Sequence, residues 1–159
     1  MVKIKLNYIL SAIVVVLLLL CASSIYGPVH FNNEKAERET AVKERLIAIR
    51  KAEEAYRKTN GNYTDSFGKL VECKLLDDSM RYVPYAGNVE FELSANISRG
   101  QSGKMTPTME CGATYNMYLN GLDNNRIKEL TESANANGLY PGLKFGDTTT
   151  PNDNAANWE

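Results

Sequence analysis

Apolar residues are arranged in three ways along this chain. From Tyr8 to Tyr26 they are nearly continuous, in a run of 19 residues without a charge. As a helix rising 1.5 Å per residue, this run is about 28 Å long, close to the ~30 Å hydrocarbon core of a bilayer. Gly27-Pro28 follows and predicts a break in the helix. From Val42 to Tyr56 the pattern becomes helical. Val42, Leu46, Ile49, Ala52 and Tyr56 are spaced 4, 3, 3 and 4 apart and share one face. From Val89 to Ile97 apolar and polar residues alternate, so Val89, Phe91, Leu93, Ala95 and Ile97 point one way along a strand.

The remaining elements fit around these three. Asn32-Asn33-Glu34 predicts a helix start, with Glu34 and Glu37 favoured by the helix dipole, and Asn60-Gly61 predicts its stop. Residues before Thr40 have little apolar face and are expected to stand in water or headgroups as a stalk. Thr64 or Asp65 is the expected cap of a short helix carrying Phe67, Leu70 and Val71. A turn is expected at Arg99–Gly103, then a strand from Met105 to Glu110 that Pro107 confines to an edge. Another strand is expected from Tyr115 to Leu119. Leu122 to Asn125 opens a further helix carrying Ile127, Leu130 and Ala134, and Gly138 ends it. Leu139 to Phe145 is expected to pin back on the core. The order predicts an α+β domain: a long amphipathic stalk helix packed on a small antiparallel sheet, with a second helix near the C-terminus. Val42, Leu46, Ile49 and Tyr56 are the expected stalk-to-sheet packing residues. The boundaries are a cytoplasmic tail at 1–5, a transmembrane anchor at 6–28, the stalk at 32–60, the head at 61–146 and a polar tail at 147–159.

The apolar run admits more than one fate. Ala22-Ser23-Ser24 offers small residues for signal peptidase, with cleavage before Ile25. Cys21 recurs at the place of a lipoprotein cysteine, although Leu20 before it is bulky. Retention is favoured by the length of the run and by Tyr8 and Tyr26 near its ends, where amphipathic aromatics prefer the interface. Lys3 and Lys5 place the N-terminus in the cytoplasm by the positive-inside rule. The expected location is the inner membrane, with the C-terminal domain periplasmic.

Charge and chemistry narrow the function classes. Eighteen Lys and Arg balance 19 Asp and Glu, so no basic excess points to nucleic acid. The single histidine, His30, reads as an interfacial residue rather than a ligand or base. No nucleophile elbow, phosphate-binding loop or spaced metal-ligand set occurs. Asp77-Asp78 reads as a solvated turn, Asp123 as part of a helix cap, and Glu53-Glu54 as ordinary pairing with Arg50 and Arg57. No cofactor, metal or small-molecule substrate is implied, and no enzyme is expected. Outside the cytoplasm, Cys73 and Cys111 can form one disulfide across a separation of 38 positions; two buried free thiols are the alternative. Trp158 either packs on the domain or meets a partner.

Two resemblances add to this. "AEEAYRKTNGNYTDSFGKLVE", Ala52 to Glu72, resembles the end of the long helix in type IV pilins and type II secretion pseudopilins. Ala55, Tyr56, Asn60, Gly61, Tyr63 and Leu70 carry it, while the prepilin peptidase site is missing. This implies a pilin-like layout that assembles through its helices. Over almost the whole chain, "AVKERLIAIRKAEEAYRKTNGNYTDSF", "MRYVPY", "YLNGLDNN", "YPGLKFGD" and the closing "NDNAANWE" are similar to a family of uncharacterised membrane-anchored proteins of Bacteroidetes. That implies an envelope location. The expected function is therefore a structural or assembly component of a secretion- or pilus-like machine. Its partners would be the lipid bilayer and other envelope proteins or further copies of itself, with Glu37 on a contact face. A ligand- or glycan-binding module using the tail and Trp158 is the alternative.

Overall fold

The computed structural model describes residues 6–99 and 105–159. Its contacts divide the chain into two units, Met1–Ala36 and Glu37–Glu159. The expected turn at Arg99–Gly103 lies largely outside the described residues.

The first unit is helical throughout its described part, within a helix α1 that spans Leu6–Asn60. The expected break at Gly27-Pro28 is absent, and Pro28 lies inside the helix. Proline removes one i→i−4 bond, but the neighbouring turns keep theirs and carry the helix through. The expected cap at Asn32-Asn33 is consequently unused; both residues are exposed on a continuing helix. The most apolar stretch has a mean hydropathy of 2.6 and none of it is buried.

The second unit is an α+β head around a three-stranded antiparallel sheet, ordered β1 (Glu92–Arg99), β2 (Met105–Thr114) and β3 (Gly142–Gly146). The register aligns Leu93 with Cys111 and Cys111 with Phe145. Odd-numbered residues of the strands therefore share the inner face. Phe91, Met109, Cys111, Ala113, Leu143 and Phe145 are buried there. The outer face is polar, with Lys144 Nζ 2.9 Å from Glu110 Oε2.

The α1 segment from Glu37 contributes Val42, Leu46 and Ile49, all fully buried as the helical spacing predicts, with Tyr56 only half-buried. Four arginines flank this stripe and donate to loops of the head. Arg38 Nη1 reaches the carbonyls of Tyr118 and Asn120 at 3.1 and 2.9 Å. Arg45 Nη1 reaches those of Ser79 and Tyr82. Arg50 reaches the Asn154 carbonyl at 3.2 Å and Glu159 Oε1 at 2.8 Å. Arg57 Nη1 meets the Tyr63 hydroxyl at 2.9 Å. Arg38 thus joins the head, although the sequence places it on a water-facing stalk.

Two local expectations change. Tyr115 to Leu119 is not a strand: Tyr115–Tyr118 forms a helical turn, α3, closed by Leu119 N–H on the Tyr115 carbonyl at 2.9 Å. Adjacent Tyr118 and Leu119 are both fully buried. The short helix α2, Phe67–Glu72, starts after Ser66 rather than from a Thr64 or Asp65 cap, and Ser66 makes no side-chain capping bond. Asp78–Arg81 is a 3-10 turn capped by Asp77, and Tyr82 then bridges Glu90. Helix α4, Asn124–Ala136, forms as expected, with Asp123 accepting from Asn125 N–H and Gly138 at φ +66° after its end.

Pro107 is an edge proline in a limited sense. β2 is the central strand, but β3 pairs with it only from Glu110 onward. At Pro107 the strand has β1 alone beside it, opposite Ile97.

Candidate functional site

Glu53 is the residue that departs furthest from its expected role. It extends the buried stripe one turn beyond Ile49, at spacing 4, and is fully buried. It pairs with neither Arg50 nor Arg57. Instead its Oε2 accepts the Thr64 main-chain N–H at 3.0 Å, and buried Oε1 has no hydrogen-bond partner among the described residues. Burial pushes its carboxyl up to about 7 against the restraint of the Thr64 bond, and Asp65 adds to the rise. Buried Cys111 on β2 is raised as well, by burial first and then by Glu53 and Glu110. A helix carboxyl bonded to a loop amide and a strand thiol are thus both fully buried.

Tyr63, almost fully buried, sits beside it. Its hydroxyl accepts from Arg57 Nη1 at 2.9 Å and from Asn154 Nδ2 at 2.8 Å. The Arg57 guanidinium also lies over the ring, 5.0 Å from its centroid. A cleft of about 580 Å³ opens here, lined by Glu54, Arg57, Tyr63, Pro107, Asp147 and Asn152 among others. Asp147 is held down at about 2 by the Thr149 hydroxyl and by the main-chain N–H groups of Thr150 and Thr149. Asp153 and Asn154 on the cleft wall have φ of +54° and +57°. A second cleft, about 340 Å³, runs along the outer edge of β1, between Ala95–Ile97 and Tyr56, Asn62, Asp65 and Lys69.

The other sequence-derived residues are dispersed. Cys73 and Cys111 are free thiols, so the possible disulfide is not formed, and of the two buried thiols that are its alternative only Cys111 is buried, with Cys73 exposed after α2. Glu37 and His30 are exposed, and the His30 ring lies 6.1 Å from that of Tyr26. Trp158 is half-exposed and outside both clefts. The tail around it is part of the head rather than a free polar segment. Gly146 N–H donates to the Ala155 carbonyl at 2.9 Å, Asn157 N–H to that of Lys144 at 3.0 Å, and Ala156 bridges Phe145. Among the described residues no group of three His, Cys, Asp or Glu is placed to hold a metal ion.

The helix periodicity carries a signal for Glu53, since 42, 46, 49 and 53 share one face, although a carboxyl is an unusual core group. No family model matches this chain, and no match is found among curated proteins or solved structures.

Proposed function

We propose that this chain is a non-enzymatic single-pass protein of the inner membrane. Its N-terminus lies in the cytoplasm, its pilin-like head in the periplasm, and it serves as a structural or assembly component of a secretion- or pilus-like envelope machine. One observation carries the reading: an apolar helical stretch long enough to cross a bilayer, none of whose residues is buried by protein. Lipid is the medium that makes such a surface stable. Lys3 and Lys5 supply the orientation.

The test is the mature mass of the native chain together with its partition on alkaline extraction of membranes. A full-length product that stays with the lipid supports the proposal. A soluble product beginning near Ile25 overturns it. A cysteine at Glu37 then reports on assembly, because oligomers trapped there require neighbouring copies or partners at the exposed helix.

The alternative, an anchored or secreted binding module, draws support from the 580 Å³ cleft built by the tail, with Arg57 and Tyr63 rather than Trp158 on its wall. Loss of an immobilised glycan on Arg57→Ala would favour it.

A further inference from the structure

Asn-Gly occurs three times in the chain, at 60–61, 120–121 and 137–138. The pair is chemically fragile. The main-chain nitrogen of the glycine can attack the side-chain carbonyl carbon of the asparagine, and glycine has no side chain to hinder that approach. Both residues of every pair are exposed, so neither sequence nor access separates the three sites. Hydrogen bonding does.

At two of them both reacting groups are held. Gly61 N–H donates to the Arg57 carbonyl at 2.8 Å, and Asn60 Nδ2 to that of Tyr56 at 3.0 Å. Gly138 N–H donates to the Asn135 carbonyl at 3.0 Å, and Asn137 Nδ2 to that of Ser133 at 2.7 Å. These pairs are fastened to the last turns of α1 and α4. The third site differs. Leu122 N–H donates to the Leu119 carbonyl at 3.0 Å, and Gly121 has φ +86°, which makes a type II turn with Asn120 and Gly121 at its corners. Gly121 N–H takes no part in the turn bond. Among the described residues neither it nor the Asn120 side chain has a hydrogen-bond partner.

The peptide group joining Asn120 to Gly121 also faces a cation. Its oxygen accepts from Arg38 Nη1 at 2.9 Å. When the nitrogen of that group loses its proton, the negative charge spreads onto the oxygen, where the guanidinium already stands. The contact that ties the α1 segment from Glu37 to the head thus favours the attacking form of the nitrogen. The Tyr118 carbonyl, 3.1 Å from Nη1, and the Tyr85 ring, its centroid 4.8 Å from Arg38 Cζ, keep the guanidinium in place.

We infer that Asn120 is a site of spontaneous deamidation assisted by Arg38, a property independent of the proposed envelope function. Gly121 N gives its proton to water and bonds to Asn120 Cγ. The Cγ–Nδ2 bond breaks, and Nδ2 takes up a proton and leaves as ammonia. Water then opens the cyclic imide at either carbonyl. One opening leaves an aspartyl residue at position 120 on the original main chain. The other leaves an isoaspartyl residue, with the side-chain methylene carried into the main chain. Water is the only co-reactant. The isoaspartyl product displaces the carbonyl that Arg38 holds, so the reaction loosens one tie between α1 and the head.

The test incubates the full-length chain in detergent at mildly alkaline pH and reads amide-to-acid conversion at each Asn-Gly pair by mass after digestion. Conversion at 120 should be at least tenfold faster than at 60 or 137. In urea the three rates should agree within about twofold, and position 120 should be no faster there than in the native chain. Arg38→Gln should slow position 120 at least fivefold and leave 60 and 137 unchanged. Faster conversion at 60 or 137 than at 120, or a native rate at 120 well below its urea rate, overturns the site. That comparison stands even where Arg38→Gln fails to fold. An unchanged rate at 120 in a folded Arg38→Gln chain overturns the part assigned to Arg38.

Discussion

The main-chain N–H of Thr64 donates to Glu53 Oε2 at 3.0 Å, tying the loop after α1 to a carboxyl inside the protein. That loop lines both clefts, the second of them along β1. The bond fixes the loop but leaves Glu53 Oε1 without compensation for its lost water.

A pH dependence follows. Glu53 ionises at about 7 in the folded chain, against an ordinary value of 4.5. Between those values the folded state holds a proton that the unfolded state releases. This group's contribution to stability is therefore greatest below about 4.5, falls as pH rises to about 7, and stays low above it. The full span is on the order of 2–3 kcal/mol. Glu53→Gln keeps an oxygen for Thr64 and cannot ionise. It should flatten the stability profile between pH 5 and 7 and stabilise the chain at pH 8 by roughly 1–2 kcal/mol, as read by urea unfolding.

The buried stripe of α1 makes a second prediction. Leu46→Ala removes a fully buried side chain and should cost about 2–5 kcal/mol. Tyr56→Ala, on a half-buried residue of the same expected face, should cost less than half as much. Equal losses would mean that Tyr56 is core after all.

Periodicity made the helix face legible at Val42, Leu46 and Ile49, and alternation did the same for buried Phe91, with Leu93 and Ala95 half-buried. At the ends of that alternation Val89, which precedes β1, and Ile97 are exposed. What stayed hidden depends on main-chain partners. Arg38, Arg45 and Arg50 look like solvated charges in a sequence, since their acceptors are carbonyls 34 to 104 positions away. The Tyr115 strand failed because a five-residue alternation is barely longer than one helical turn. Glu53 was discounted for its charge, although burial with a raised pKa makes a carboxyl tolerable in a core.

The cysteines should behave as unlike thiols. Cys73 is exposed, whereas Cys111 is fully buried and its thiol is pushed up by burial. A thiol reagent at neutral pH should label Cys73 in the native chain and spare Cys111 until the head unfolds. Protection of Cys73 that reductant reverses would restore the disulfide reading.

Gly146 gives the sharpest structural test. It stands at the end of β3 with φ +77°, a region that L side chains seldom adopt. A Cβ there would also collide with the Met109 carbonyl oxygen of β2. Neither cause can be relieved by a rotamer change, because both belong to the backbone. Met109 is itself fully buried and cannot move outward without opening the core. Gly146→Ala should therefore destabilise the head by about 3 kcal/mol or more. Gly121, at φ +86° with no atom within 4 Å of an added Cβ, isolates the conformational part alone. Gly121→Ala should cost about 1 kcal/mol. Thermal unfolding of the two variants side by side separates collision from backbone preference. Similar midpoints would show that the β2–β3 pairing at Glu110 and Gly146 is loose enough to absorb a methyl group.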